Sequence, residues 1–371
     1  MLRPRFLATV IAALFLNASS FAGTKYAVGT CRPSLPSYTT ISQAVSGVPS
    51  GSTVLVCPGN YPEQILIAQP LTLEGVQSGG SGAAVVVVPP GGLVQYAGAG
   101  FYYQILVQTT GPVDIRNLAV DGTGGSSPAG TQVGVVGIFY LNSSGTVSHV
   151  SARNQTDAAS GGQGDGIVAL AVRKQAAAAG PTVTIQDNVV RGFDGTGIFA
   201  VGGTSLTANI KGNTVYSTAP TLNPISVNGI YVEGATATVE SNAITGGGSL
   251  YSGLYLEYSA ATVMSNTISV IGAGTGVNVL AGSNSIHENR IDAGGQTGVS
   301  LSLLGTGSLV QRNRISNSST AVYGCGSEPA SGFTVTGNTI TDAAIGVQMR
   351  TGNTSAPNQF FATATPVAAC P

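Results

Sequence analysis

VTGNTITDAAIGVQM occupies residues 335–349. Asn338 is followed two residues later by Ile340, a short turn comes next, and Gly346 then opens an apolar-x-apolar triplet. The phrase recurs upstream as TIQDNVV (184–190), NIKGNTV (209–215), TVESNAI (238–244), TVMSNTI (262–268), SIHENRI (285–291) and LVQRNRI (309–315). The recurring asparagines are Asn188, Asn213, Asn242, Asn266, Asn289, Asn313 and Asn338, spaced by 25, 29, 24, 23, 24 and 25 residues. Each is followed by a second phrase: GIFA at 197, GIYV at 229, GLYL at 253, GVNV at 276, GVSL at 298 and GVQM at 346, with AVYG at 321 carrying Ala for Gly.

A period in the twenties is the signature of a solenoid, in which each repeat buries its apolar face against its neighbours. Within each phrase apolar and polar residues alternate, as in a strand. Two or three short strands per repeat, joined by turns and with no helical pattern, describe one coil of a β-helix. The leucine consensus of leucine-rich repeats is missing, and WD blades are nearly twice as long.

Over roughly residues 60–350 the chain resembles the right-handed parallel β-helix superfamily, the pectin-lyase-like fold. That resemblance implies an all-β, single-domain solenoid. It implies no particular activity, because the fold hosts lyases, hydrolases, esterases and adhesins. The motifs of its best-known enzymes are missing: there is no GHG, DD or RIK as in polygalacturonases, no methylesterase DFIFG strand, and no WIDH or RxPxxR as in pectate lyases.

The asparagine has two physical reasons on this reading. A bend between strands needs a residue that tolerates the left-handed region, which Asn does better than most. Its amide also carries donors and an acceptor, so copies on adjacent coils form a ladder that satisfies buried polar groups. The ladder is architecture rather than a ligand set. Asn117 and Asn154, in the less regular middle, are candidate degenerate members.

The chain has 371 residues, a formal net charge of −1, 53 glycines, no tryptophan and only 8% charged residues, against roughly 25% in ordinary soluble domains. No basic stripe exists, so nucleic acid is excluded as a partner. Arg3 and Arg5, the apolar run Leu7–Leu16 and the small residues up to Ala22 read as a signal peptide over 1–22. No later segment reads as a membrane span, and AAVVVV (83–88) reads as a buried strand. The expected address is secreted, periplasmic or cell-surface. Four cysteines suit an oxidising compartment and allow three pairings. Their positions favour Cys31–Cys57 and Cys325–Cys370, each fastening one end. TTISQAVSGV (39–48) carries Ile41, Ala44, Val45 and Val48 at helical spacing, an amphipathic cap over the open end. The expected organisation is therefore leader 1–22, cap and first strands 23–62, β-helix 63–350 and C-terminal cap tail 351–371.

Stacking the phrases brings distant residues together. In GIFAV, GIYVE and GLYLE the third letters point outward, giving Phe199, Tyr231 and Tyr255 on successive coils. The fifth letters give Val201, Glu233 and Glu257. Coils are ~4.8 Å apart, so Glu233 and Glu257 form a carboxylate pair beside two tyrosines. At an effective dielectric near 20 they repel by about 3 kcal/mol, which raises one pKa or attracts a cation, with Ca²⁺ the candidate. The same spacing suits the acid pair of retaining glycosidases. Glu233 and Glu257 are the candidate catalytic residues; Phe199, Tyr231 and Tyr255 are candidate substrate contacts. Asp165 and Asp194, further candidate substrate contacts, extend the acidic edge toward the N-terminal side or cap turns. HVSARNQTD (149–157) holds a thinner cluster of His149, Arg153 and Asp157. The longest insertion, YSTAPTLNPISVN (216–228), leads into GIYVEG. These features point to an exported polysaccharide-binding or surface structural module, with a divergent lyase or hydrolase acting on acidic glycans as the alternative. The sequence leaves the oligomeric state open.

Overall fold

Each repeat folds as three short strands. Thr236–Glu240, Ala243–Gly247 and Ser252–Glu257 make one coil; Ala260–Met264, Thr267–Ile271 and Thr275–Ala281 make the next. The coils pair in parallel, residue for residue: Thr236 with Ala260, Ala243 with Thr267, Leu254 with Val277. The computed structural model describes residues 23–371 except 78–81, 97–99, 129–132, 158–162, 173–179, 218–226, 248–250, 273, 305–306 and 326–331. The expected leader and most of the insertion at 216–228 lie outside the described residues.

First strands of successive coils form a 14-stranded sheet. Second and third strands merge into a 20-stranded one, because in the last coils they run on as single strands: Arg314–Gly324, Thr339–Met349 and Gln359–Ala369. Inward side chains form one continuous apolar core from Val28 to Met349. The glycine phrase has a packing reason. A Cβ at Gly253 would lie 2.5 Å from Ile268 Cγ2 and 2.7 Å from the Gly276 carbonyl oxygen, so the third strand can approach the second only without a side chain there.

The asparagine ladder forms, with a different division of labour from the one expected. The left-handed residue is the one before each ladder asparagine: Asp187, Ser241, Ser265, Glu288 and Arg312 have φ between 52° and 59°, and Gly212 and Gly337 fill the same place. The ladder asparagines do not make the bend; they bond it. The backbone N–H and the side-chain Nδ2 of Asn242 both donate to Asn266 Oδ1, each at 2.9 Å, and Nδ2 also donates to the Ile210 carbonyl at 3.0 Å. The pattern repeats from Asn188 to Asn338. It starts where the Val150 N–H donates to Asn188 Oδ1. Register puts Val150 and Leu118 at the ladder place in the earlier coils, so Asn117 and Asn154, with φ of 60° and 57°, are turn residues and not ladder members.

The tail 351–371 adds a further coil. Gln359–Ala369 pairs in parallel with Thr339–Met349, and Asn358 Oδ1 accepts from both Asn338 N–H and Nδ2. The disulfides Cys31–Cys57 and Cys325–Cys370 are formed. At the other end the helix Ile41–Gly47 covers the core with Ile41, Ala44 and Val45. Its free N–H groups are met by Glu63, which accepts from Ile41 and Ser42, and its last carbonyls by Gln69 Nε2, which donates to Val45 and Val48.

Replacing Asn266 by Ala strands the Asn242 N–H and the Val239 carbonyl in the interior. At about 1–3 kcal/mol for each orphaned group, the variant should lose about 2–6 kcal/mol in urea unfolding followed by circular dichroism. Asn278→Ala, on the outer face, should stay within about 0.5 kcal/mol. Equal losses in the two variants would remove the ladder as a main stabiliser.

Candidate functional site

The third strands Thr196–Val201, Asn228–Glu233 and Ser252–Glu257 lie side by side, with Phe199 paired to Tyr231, Tyr231 to Tyr255 and Glu233 to Glu257. Ile198, Ala200, Ile230, Val232, Leu254 and Leu256 are buried, and the residues between them are half-exposed. The alternation read from the phrases therefore places both columns outward. The Phe199 and Tyr231 rings stack at 4.6 Å and 15°, and the Tyr231 and Tyr255 rings lie 4.8 Å apart at 35°. The Tyr231 hydroxyl donates to Glu257 Oε2 across the coil step. The lower acid is thus held by the upper tyrosine.

Burial raises the pKa of Tyr231, and the bond to Glu257 and the charges of Glu233 and Glu257 push it the same way. Tyr255 is pushed up to about 12, first by burial and then by Glu257, Tyr251 and Glu233. Both phenols stay protonated at neutral pH and act as donors. Because the rings cover one another, the ladder presents edges and hydroxyls outward. Ring surface is open instead on Tyr251 and Tyr258, 41% and 58% exposed. Tyr251 stands edge-on to Tyr255 at 6.5 Å and 88°. Sequence reading missed these two because they sit in the turns flanking the third strand, outside the repeated phrase.

Asp165 and Asp194 are buried, and the turn uses them as acceptors. Asp165 Oδ1 accepts the Thr196 N–H at 2.6 Å; Asp194 accepts the N–H groups of Asp157 and Gly164. Asp157 in turn takes the N–H and hydroxyl of Ser127. His149, Arg153 and Asp157 do not converge: Arg153 Nε donates to Asp121 at 2.9 Å, and His149 is a left-handed corner residue. Among the described residues no group of three or more His, Cys, Asp or Glu side chains is placed to hold a metal ion. Glu233 and Glu257 are two carboxylates, fewer than the six to eight oxygens Ca²⁺ takes.

Burial pushes Asp165 up to about 7; the Thr196 N–H bond opposes this and the charge of Asp194 adds to it. A raised folded pKa favours the neutral acid, so its contribution to stability is fully present below pH 3.8 and lost as pH rises through about 7. Asp165→Asn keeps the acceptor and removes the titration. Its melting temperature should exceed that of the wild type at pH 8, by the equivalent of up to about 4 kcal/mol, and match it at pH 3.5. A parallel offset at both pH values would contradict this account.

A family model described as a right-handed β-helix region matches residues 196–360. No curated protein matches the chain. Among solved structures, the GH136 lacto-N-biosidase from Eubacterium ramulus aligns with a TM-score of 0.60 at 11% identity, over 94% of this chain and 68% of that one. The AlgE6 A-module of the mannuronan C-5 epimerase from Azotobacter vinelandii aligns at 0.54 and 18%, over 89% and 93%. DFA-IIIase from Arthrobacter chlorophenolicus A6, without its lid and in complex with GF2, aligns at 0.53 and 17%, over 94% and 92%. At these identities the likeness is one of fold, and it agrees with the parallel register and the repeated phrase: the chain is a right-handed parallel β-helix protein with the pectin-lyase-like fold.

Proposed function

We propose that this protein binds a glycan on the outer face of the third strands, around Tyr231, Tyr255, Glu233 and Glu257, as an exported module. The observation that carries the reading is the hydrogen bond from the Tyr231 hydroxyl to Glu257, which orders a carboxylate and a phenol on a half-exposed face. Carboxylates accept from sugar hydroxyls, the Tyr255 hydroxyl can donate to them, and the open rings of Tyr251 and Tyr258 offer surface for the C–H face of a sugar. The similar structures include a lacto-N-biosidase and a mannuronan epimerase by name, which makes glycans the first ligand class to try. Export rests on the leader-like residues 1–22 and on the two disulfides.

A second reading keeps the site and adds chemistry. Glu233 and Glu257 are direct register neighbours, so their strands are ~4.8 Å apart, near the separation of a retaining acid pair. One acid would protonate the leaving oxygen and the other attack or stabilise the sugar carbon.

Binding should be measured on a glycan array and by calorimetry, with and without Ca²⁺. Glu233→Gln with Glu257→Gln should weaken binding at least tenfold, about 1.4 kcal/mol, and Tyr231→Phe by less. Binding of the wild type should persist in EDTA, because the Tyr231 hydroxyl already orders Glu257. Reducing-sugar release or unsaturated products, lost in the double variant, would select the catalytic reading. Undiminished binding by the folded double variant would place the site elsewhere.

A further inference from the structure

On several outward columns register sets unlike charges side by side. Glu74 neighbours Arg116 and accepts from it at 2.7 Å; Asp121 neighbours Arg153 at 2.9 Å; Lys211 neighbours Glu240 at 3.4 Å. The outer face of the second strands departs from this between two coils, where Arg290 is the direct neighbour of Arg314. Both side chains are exposed, and among the described residues no carboxylate oxygen lies within 4.0 Å of either. Their strands are ~4.8 Å apart, so two guanidinium groups start from adjacent places and repel. Arg153 and Arg191 are also neighbours, but Asp121 holds Arg153.

The column around the pair holds no acid. From Ser151 to Gln359 its other members are uncharged, and Thr267 and Thr339 flank the two arginines. The acids on either side of Arg290 in the chain, Glu288 and Asp292, have partners of their own. Asp292 Oδ1 accepts from the Gly294 N–H at 3.1 Å and from Asn317 Nδ2 at 3.2 Å; Glu288 Oε1 accepts from Arg312 Nε at 3.0 Å. The adjoining outward column presents Ser269, Ser316 and Thr341 in line with Asp292, all half-exposed. The pair thus stands among hydroxyls, with no apolar side chain in register beside it, which suits a hydroxylated ligand rather than a lipid surface.

We infer that Arg290 and Arg314 form a site for a tetrahedral oxyanion, the sulfate or phosphate ester group of a glycan. A guanidinium offers its donors as a planar fork that takes two oxygens at once. A carboxylate has two oxygens and satisfies one fork, whereas a sulfate or phosphate monoester has three free oxygens and can bridge both. The charge of the ester supplies the acid that register omits and relieves the repulsion between the forks. Thr267, Thr339 and Ser316 give donors and acceptors for the sugar hydroxyls around the ester. The site lies on the second strands, so the inference does not depend on the reading of Tyr231 and Glu257.

The test is calorimetry with dextran sulfate, phosphorylated dextran and carboxymethyl dextran of matched charge density, and with inorganic sulfate and phosphate. The wild type should bind a sulfated or phosphorylated dextran at least tenfold more tightly than the carboxymethyl form, and more weakly as salt rises. Arg290→Gln with Arg314→Gln, checked for folding by circular dichroism, should lose at least tenfold in that affinity. Arg32→Gln with Arg350→Gln removes the same charge elsewhere and should bind as the wild type does. Arg290→Lys with Arg314→Lys keeps the charge without the fork and should fall between. Equal affinity for carboxymethyl dextran, or a lysine variant that matches the wild type, would overturn the tetrahedral class. Inorganic sulfate or phosphate held as tightly as the polymer's groups would overturn the glycan source. Unchanged binding by the folded glutamine variant, or no binding of any charged dextran by the wild type, would overturn the site itself. Each of these outcomes leaves the reading of the third-strand face as it stands.

Discussion

A solenoid is held together by the requirement that each coil return its chain to the same place one strand spacing further along. Here the buried amide ladder enforces that return. From Asn213 onward each ladder asparagine accepts two hydrogen bonds from the coil before it and donates onward to the next, so a coil shifted by one residue would orphan an amide, a backbone N–H and a carbonyl at once. The penalty for buried unsatisfied groups makes such a slip far costlier than a lost surface contact. The glycine column adds a steric version of the same constraint, since the third strand can lie against the isoleucines of the second only where Cβ is missing.

The outer face inherits its chemistry from that register. Glu233 and Glu257 are far apart in the chain and adjacent on the sheet because Ile230, Val232, Leu254 and Leu256 lock the alternation beneath them. Other outward pairs created in the same way stay ordinary: Lys211 with Glu240 at 3.4 Å and Arg312 with Glu288 at 2.9 Å are exposed ion pairs worth little. The Tyr231–Glu257 pair differs because the phenol is partly buried between two rings and the acid is its hydrogen-bond partner. A carboxylate acceptor held in place by a phenol before a ligand arrives loses less freedom on binding, which is how a flat sheet face becomes a recognition surface.

The repeated phrase, the two disulfides, the capping helix and the outward columns were all legible in the residues, because each is a local pattern written again every twenty-odd positions or anchored at one end. Asn358 escaped notice because its coil lacks the glycine phrase, although Phe360 follows it at the usual distance. The sequence alone determined which residues share a column, since inward and outward alternation and a fixed period leave no other solution. Only the tertiary structure decided what happens on top of a column. It moved the left-handed bend to the residue before each asparagine and drew Asp165 and Asp194 under the surface. It closed the ring faces of the ladder against each other, and packed Tyr96 and Phe101 onto the outward cluster of Leu106, Phe139 and Val168. The physical reason is that these contacts come from unrepeated segments, whose placement depends on shape and burial against distant coils rather than on any pattern within their own residues.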